Sequence, residues 1–383
     1  MEILKKGIQK KSDYKYKFVV ANGIDENGKQ IRTSKIFIIN ENLTENQKIK
    51  LLNEEYEDFK NQVKKTKGYS INITFDEFQK IYFKEYGKTD IKKSTAYNYK
   101  TTVKNHINPK FKNIKVKDIT TQQINDFLLN LKLKNSSKKK TKIVFSSIME
   151  YAKKLKIIDY NPVHDSKYKL KDENIENEDN KNTDNYLEKE DYEKLKKIVE
   201  VYSNFNILIY FLMYSGMRMG EALALTWNDI DFNNNEIRIN KTLSYAEKET
   251  YISTPKTENS IREINIPKKV IDKLKEHKIQ QEKLIANCNG TFKHKELVFT
   301  SPIGNYYDKS NMNTQFKKLL KKNNIKIITI HGIRHTVVSL LIDKLDIYKI
   351  SKYIGDSIST IENTYSHFLK KHKTDVADVL NDL

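Results

Sequence analysis

The chain has 383 residues and a mass of 45.2 kDa, which at about 150 residues per domain predicts two or three domains. Its 70 Lys and Arg against 50 Asp and Glu leave a net charge of +20, an excess that selects polyanions; with no apolar run near the ~18 residues of a spanning helix and no signal-peptide core after Met1, nucleic acid is expected rather than lipid. One cysteine, Cys288, excludes an internal disulfide framework and a cysteine zinc site, and 11 Gly with 5 Pro exclude collagen-like or Gly/Pro-rich chains.

The basic excess is concentrated early. Residues 1–150 carry 32 Lys and Arg against 17 Asp and Glu, residues 151–200 carry 11 against 13, and the rest carry 27 against 20. In residues 1–66, Tyr14-Lys-Tyr16-Lys-Phe18 alternates aromatic with lysine, and Asn27-Gly28 before Ile31–Ile39 is a hairpin signal. Thr44 with Gln47 reads as a capping box, followed by Leu52, Tyr56, Phe59 and Val63 at helical spacing. This predicts a small α+β module, a sheet backed by one helix. Its Lys15 and Lys17 face is either simply solvated or a reader of a DNA groove.

Residues 70–167 read as four helices, with start signals at Thr74/Glu77, Ser94, Thr120/Gln123 and Ser136 or Ser137. The last carries Val144, Ile148, Tyr151, Ala152 and Leu155 as an apolar stripe, and Asn161-Pro162 is read as its stop. Lys138, Lys139, Lys140 and Lys142 crowd its start. A lysine cluster is usually a solvated face, but this unit is basic throughout, and phosphate-backbone contact is the better explanation. Residues 168–186 are acidic and poor in apolar residues, as an exposed linker would be.

From 187 to 383, an apolar helix Asn204–Ser215 ends at Gly216 and leads to Met217-Arg218-Met219-Gly220-Glu221. Arg218 in that turn is either paired to Glu221 or free for a ligand. Glu236–Asn240 and Arg262–Ile266 alternate as strands, with Lys256 in the turn before the second. His331, Arg334 and His335 share one helical face. Two histidines at that spacing suggest zinc, but Gly332 stands where the general-base glutamate would be and an arginine would adjoin the metal. Tyr365 lies near the end. Together these residues suit phosphoryl transfer without a metal or other cofactor: arginines for a phosphate's nonbridging oxygens, a lysine to protonate a leaving oxygen, a histidine as acid/base, and a tyrosine nucleophile.

The order Arg218, Lys256, His331-x-x-Arg334, Tyr365, carried in GMRMGEAL, TPKTENSIREI, HGIRHT and NTYSH, resembles the tyrosine recombinase (phage integrase) family over roughly 185–370. The resemblance implies a multidomain fold: an arm-binding α+β module, an all-α SAM-like core-binding domain, and a mainly α catalytic domain with a small antiparallel sheet. It implies that Arg218 and Arg334 hold the scissile phosphate, Lys256 is general acid to the 5′ oxygen, His331 assists, and Tyr365 forms a 3′-phosphotyrosyl link. The implied function is integration and excision of a conjugative transposon or prophage. The implied partners are core-type and arm-type duplex DNA, three further protomers in a tetramer exchanging C-terminal tails, an excisionase and a DNA-bending protein, in the cytoplasm at the nucleoid. The alternatives are a DNA-binding regulator or architectural protein with a weakened site, and a topoisomerase.

One position departs from the family pattern. Nine residues before Tyr365 the family has His or Trp, and this chain has Asp356, whose carboxylate would repel a phosphate unless protonated or turned away. Three outcomes are open: Asp356 points elsewhere, His335 or His367 supplies the missing donor, or turnover is slowed. Val376, Val379, Leu380 and Leu383 form a short apolar stripe that needs a surface, on this protomer or on a neighbour.

Overall fold

The computed structural model describes residues 3–24, 30–39, 43–65, 69, 71–89, 91–166, 185–255, 258–342 and 344–371. The Asn27-Gly28 turn, nearly all of the acidic linker, Lys256 and the stripe of residues 376–383 lie outside them. The chain divides into two compact units, residues 1–173 and 174–383.

The first unit opens with three antiparallel strands, β1 (Ile8–Ser12), β2 (Lys15–Ile24) and β3 (Gln30–Ile38), in the order β1-β2-β3. Period-two alternation sends Tyr16, Phe18 and Val20 inward, where they pack on Leu52, Tyr56, Phe59 and Val63 of the helix Glu45–Lys65. The opposite face pairs Lys15 with Ile38 and Lys17 with Ile36, both isoleucines exposed.

The helices after it have an aromatic core of Phe75, Phe78, Tyr82, Phe111, Phe127 and Phe145. Thr74/Glu77 and Thr120/Gln123 form complete capping boxes. Two expected starts move. The helix expected at Ser94 begins at Lys93, with no side-chain cap from Lys92 before it, and that expected at Ser136 or Ser137 begins at Asn135, so these serines sit inside first turns. Nor does Asn161-Pro162 end the long helix. It stops at Lys154, where Lys156 takes left-handed φ of 59° and the amides of Lys156 and Ile157 return to the carbonyls of Lys153 and Ala152, a Schellman closure made without glycine.

The second unit packs helices Lys189–Val199, Asn204–Ser215, Lys268–Asn287, Lys309–Lys322 and Ile330–Ile342 around Leu208, Phe211, Leu223, Leu274, Phe299 and Phe316. A sheet of β4 (Ile230–Asp231), β5 (Glu236–Ile239) and β8 (Arg262–Asn265) pairs β5 with β8 from Glu236↔Asn265 to Ile239↔Arg262. A separate hairpin, β6 (Thr242–Ala246) and β7 (Glu249–Ser253), precedes the Lys256 turn.

Candidate active site

Two helix ends build the floor of the site. The helix Asn204–Ser215, capped by the Ser203 hydroxyl, ends at Gly216 with φ of 57°, and a side chain there would meet Ile354 at 2.7 Å. The helix Ile347–Ile354 ends at Gly355 with φ of 77°, where a Cβ would lie 2.8 Å from the Arg262 guanidinium. Both positions require glycine on two counts, backbone conformation and close approach. The carbonyls at these ends, partially negative and without helical partners, are where cations are favoured. Arg334 Nη1 accordingly donates to Gly216 O and Ile354 O, each at 3.0 Å, and Arg218 Nη2 donates to Gly355 O at 3.3 Å.

Two carboxylates complete the arrangement. Glu221 is buried one turn after Arg218, accepts from Arg218 Nη1 at 2.7 Å and from Arg218 N at 3.1 Å, and accepts from Arg262 Nη2 at 3.2 Å. Asp356 does not point elsewhere: one of its oxygens accepts from Arg218 Nη2 and the other from Arg334 Nη2. The salt-bridging reading of Arg218 therefore describes one edge of the guanidinium, while another edge faces the same anion as Arg334.

Burial opposes the charge on Asp356, but Arg334 and Arg218 outweigh it and hold the carboxyl below its ordinary range. Arg334, whose side chain is only 3% exposed, is pushed down by burial and by Arg218, against the pull of Asp356. Both partners shift downward because Arg334 is sunk beside other cations, whereas Asp356 keeps 21% of its side chain open. For Arg218, burial is outweighed by Glu221 and Asp356, and its pKa rises.

The helix Ile330–Ile342 starts where the Thr329 hydroxyl accepts from Gly332 N, while Asn185 accepts from Thr329 N. It delivers the site histidines on one face, with ring centroids 4.7 Å apart and nearly perpendicular. His331 stands exposed at the rim; the protein packed around its inner side, then Arg334 and Arg218, lower its pKa. His335 lies deeper, and its Nδ1 is 2.6 Å from the Tyr365 hydroxyl. It therefore faces the tyrosine, not the place of a missing phosphate donor. Burial, then His331 and Arg334, push its pKa down to about 4. Tyr365 is buried and its pKa is raised by that burial.

The site thus brings together Arg218, Glu221, His331, Arg334, His335, Asp356 and Tyr365. Lys256 and the side chain of His367 lie outside the described residues, although Ser260, at the described end of the Lys256 turn, accepts from Arg218 Nη1 at 3.3 Å. Arg262 was missed. It shares the inward face of β8 with Ile264, and a cation at an inward strand position needs a buried carboxylate, which was the available signal.

The lysines singled out in the first unit divide. Lys15, Lys139 and Lys140 are exposed and Lys17 is half-buried. Lys138 Nζ donates to Leu129 O at 3.1 Å and Lys142 Nζ to Ser166 O at 2.7 Å, tying both to their own unit.

Comparison with known proteins agrees over both units. Residues 185–372 match the phage integrase family and residues 74–132 the phage integrase N-terminal SAM-like domain. A tyrosine recombinase XerC-like protein of Caldanaerobacter subterraneus subsp. tengcongensis is 28% identical, over 96% of each chain. The fold is similar to that of the Tn1549 transposon integrase in complex with a circular intermediate DNA (18% identity, 81% of this chain and 99% of that one, TM-score 0.64). It is also similar to a lambda integrase tetramer bound to a Holliday junction (16% identity, 92% and 94%, TM-score 0.53).

Proposed function

The chain belongs to the phage integrase family and is a site-specific tyrosine recombinase; from that premise we propose that it integrates and excises a mobile DNA element through a 3′-phosphotyrosyl intermediate at Tyr365. The observation that carries the reading is the convergence of Arg218 and Arg334 on the two oxygens of one carboxylate. That carboxylate stands in for the two nonbridging oxygens of a phosphodiester, and paired guanidinium groups are suited to either. Arg218 and Arg334 then stabilise the charge that builds on a pentacoordinate phosphorus. Lys256 protonates the departing 5′ oxygen, and His331 at the rim assists proton transfer.

DNA must exchange with Asp356. Gly355 in its left-handed turn and the Ser351 hydroxyl on Asp356 O at 2.7 Å fix the backbone, so the exchange is a side-chain rotation or a protonation. With the carboxylate withdrawn, Arg218, Arg262 and Arg334 against Glu221 leave two net positive charges for the phosphate. Asp356 slows entry of DNA without removing the machinery.

Lys15, Lys17, Lys139 and Lys140 grip backbone phosphates at arm-type and core-type sites. A tetramer, the assembly in which lambda integrase is seen on a Holliday junction, synapses two duplexes, with the tail passing between protomers and with excisionase and bending proteins setting direction. The test is incubation with end-labelled duplex from the junctions of the element that carries the gene. A protein–DNA adduct that disappears in Tyr365→Phe, with DNA binding retained, is expected. An adduct that survives Tyr365→Phe, or none with the wild-type protein, overturns the reading.

A further inference from the structure

We propose that His335, not His331, is the group that takes the phenolic proton of Tyr365 in strand cleavage and returns it in religation. The inference rests on the recombinase reading above and goes beyond it by assigning the base. Tyr365 Oη and His335 Nδ1 are 2.6 Å apart, and they come from separate elements, the helix Ile358–Lys371 and the helix Ile330–Ile342. The helix Ile358–Lys371 leaves helical geometry at Tyr365 itself, with φ of −117° and ψ of 19°. The phenol is buried against Val337, Val338, Ile354 and Ile361, where a hydroxyl must find a polar partner; His335 is one that it meets.

Chemistry requires such a group. A buried phenol with a raised pKa does not ionise ahead of reaction at neutral pH, so its proton must leave as the new bond forms, to an acceptor within hydrogen-bond reach. A neutral imidazole that accepts at Nδ1 carries its own proton on Nε2, and His335, held down to about 4, is neutral at physiological pH. The charged and titratable groups that face it are His331 and Arg334 on its own helix, Asp356 from the turn after the helix Ile347–Ile354, and Tyr365. In the DNA-free protein burial, then His331 and Arg334, outweigh the opposing pull of Asp356 and make it a weak base. An arriving phosphodiester, gaining negative charge toward the transition state, raises its proton affinity at the moment of transfer.

The step balances. A Tyr365 Oη lone pair forms the bond to phosphorus, the bond from phosphorus to the 5′ oxygen breaks, the phenolic proton moves to His335 Nδ1, and the 5′ oxygen takes a proton from Lys256. Religation reverses each transfer, the imidazolium of His335 reprotonating the tyrosine as it departs.

The test compares His335→Asn, whose Oδ1 still accepts the Tyr365 hydrogen bond but has no useful proton affinity, with His335→Ala. Single-turnover adduct formation is followed on a nicked duplex of the element's junction, with gel-shift affinity as the control for folding. Both variants are expected to lose roughly 10²- to 10⁴-fold in cleavage at nearly unchanged affinity, with added imidazole recovering part of the alanine rate and none of the asparagine rate. A junction with sulfur in place of the bridging 5′ oxygen, whose thiolate departs without a proton, is expected to rescue Lys256→Ala and leave His335→Asn impaired. Wild-type cleavage by His335→Asn, or its rescue by the bridging sulfur, overturns the assignment. An adduct that persists in Tyr365→Phe, or none with wild-type protein, overturns the recombinase reading itself and takes this inference with it.

Discussion

The lysines of the first unit and the arginines of the second carry the same charge under opposite conditions. Lys139 and Lys140 stand in solvent at the start of a helix, where a cation is hydrated, mobile and replaceable by its neighbour. Arg334 is almost wholly buried, with two helix-end carbonyls and one carboxylate fixing its direction. In the proposed reading the difference separates holding DNA from acting on it: hydrated charge would contribute affinity, and desolvated, oriented charge would contribute transition-state stabilisation.

The contrast breaks first at Arg334. Arg334→Lys keeps the charge but cannot reach two carbonyls and a carboxylate at once; adduct formation should fall by roughly 10²- to 10³-fold while gel-shift affinity changes little. An equal loss of affinity would mean the buried cation is a grip residue like the lysines. Next comes Glu221→Gln, which leaves Arg262, 6% exposed along its side chain, without its counter-charge. Loss of one partner of such a pair costs about 3–5 kcal/mol, read as a lower denaturant midpoint; an unchanged midpoint would show that Arg262 is satisfied by its donations to Tyr353 O at 2.7 Å and Ser260 O at 3.2 Å alone.

Asp356→Asn sharpens the comparison from the other side. Removing the internal anion should tighten binding of inorganic vanadate by about tenfold, the factor that ~1.4 kcal/mol of relieved competition produces, measured by calorimetry. Unchanged vanadate affinity would place the phosphate elsewhere.

Stability should also carry the signature of His335. Its folded pKa of about 4 lies below its ordinary 6.5, so between those values the unfolded chain binds more protons and stability rises with pH. His335→Asn should flatten that part of a melting-temperature profile. Asp356, depressed below 3.8, contributes stability that is present above that value and lost as pH falls through its lower folded pKa. Smallest of all, Lys139→Ala with Lys140→Ala should lower the salt dependence of DNA binding by about one counterion each and leave the cleavage rate of bound DNA intact.

Much of this was legible in the sequence where the signal is local. Thr74/Glu77 and Thr120/Gln123 announce helix starts because a capping box is satisfied within four residues. Ser94 and Ser136 misled because the chain already turns helical before them, and Asn161-Pro162 misled because a left-handed Lys156 closes the helix earlier. The inward lean of Arg262 was readable from strand alternation and overlooked.

By itself the sequence determined the inventory: which side chains carry charge and nucleophilicity, which faces are apolar, and the span, residues 185–372, that matches the family. Tertiary structure alone decided that Asp356 lies between two arginines, 138 and 22 residues away in the chain, and that Tyr365 meets His335 rather than His331. Periodicity specifies the face a residue occupies, but not which distant face it will meet. Here that was settled by two left-handed glycine turns that bring helix ends together, and by burial too costly to leave any of these charges alone.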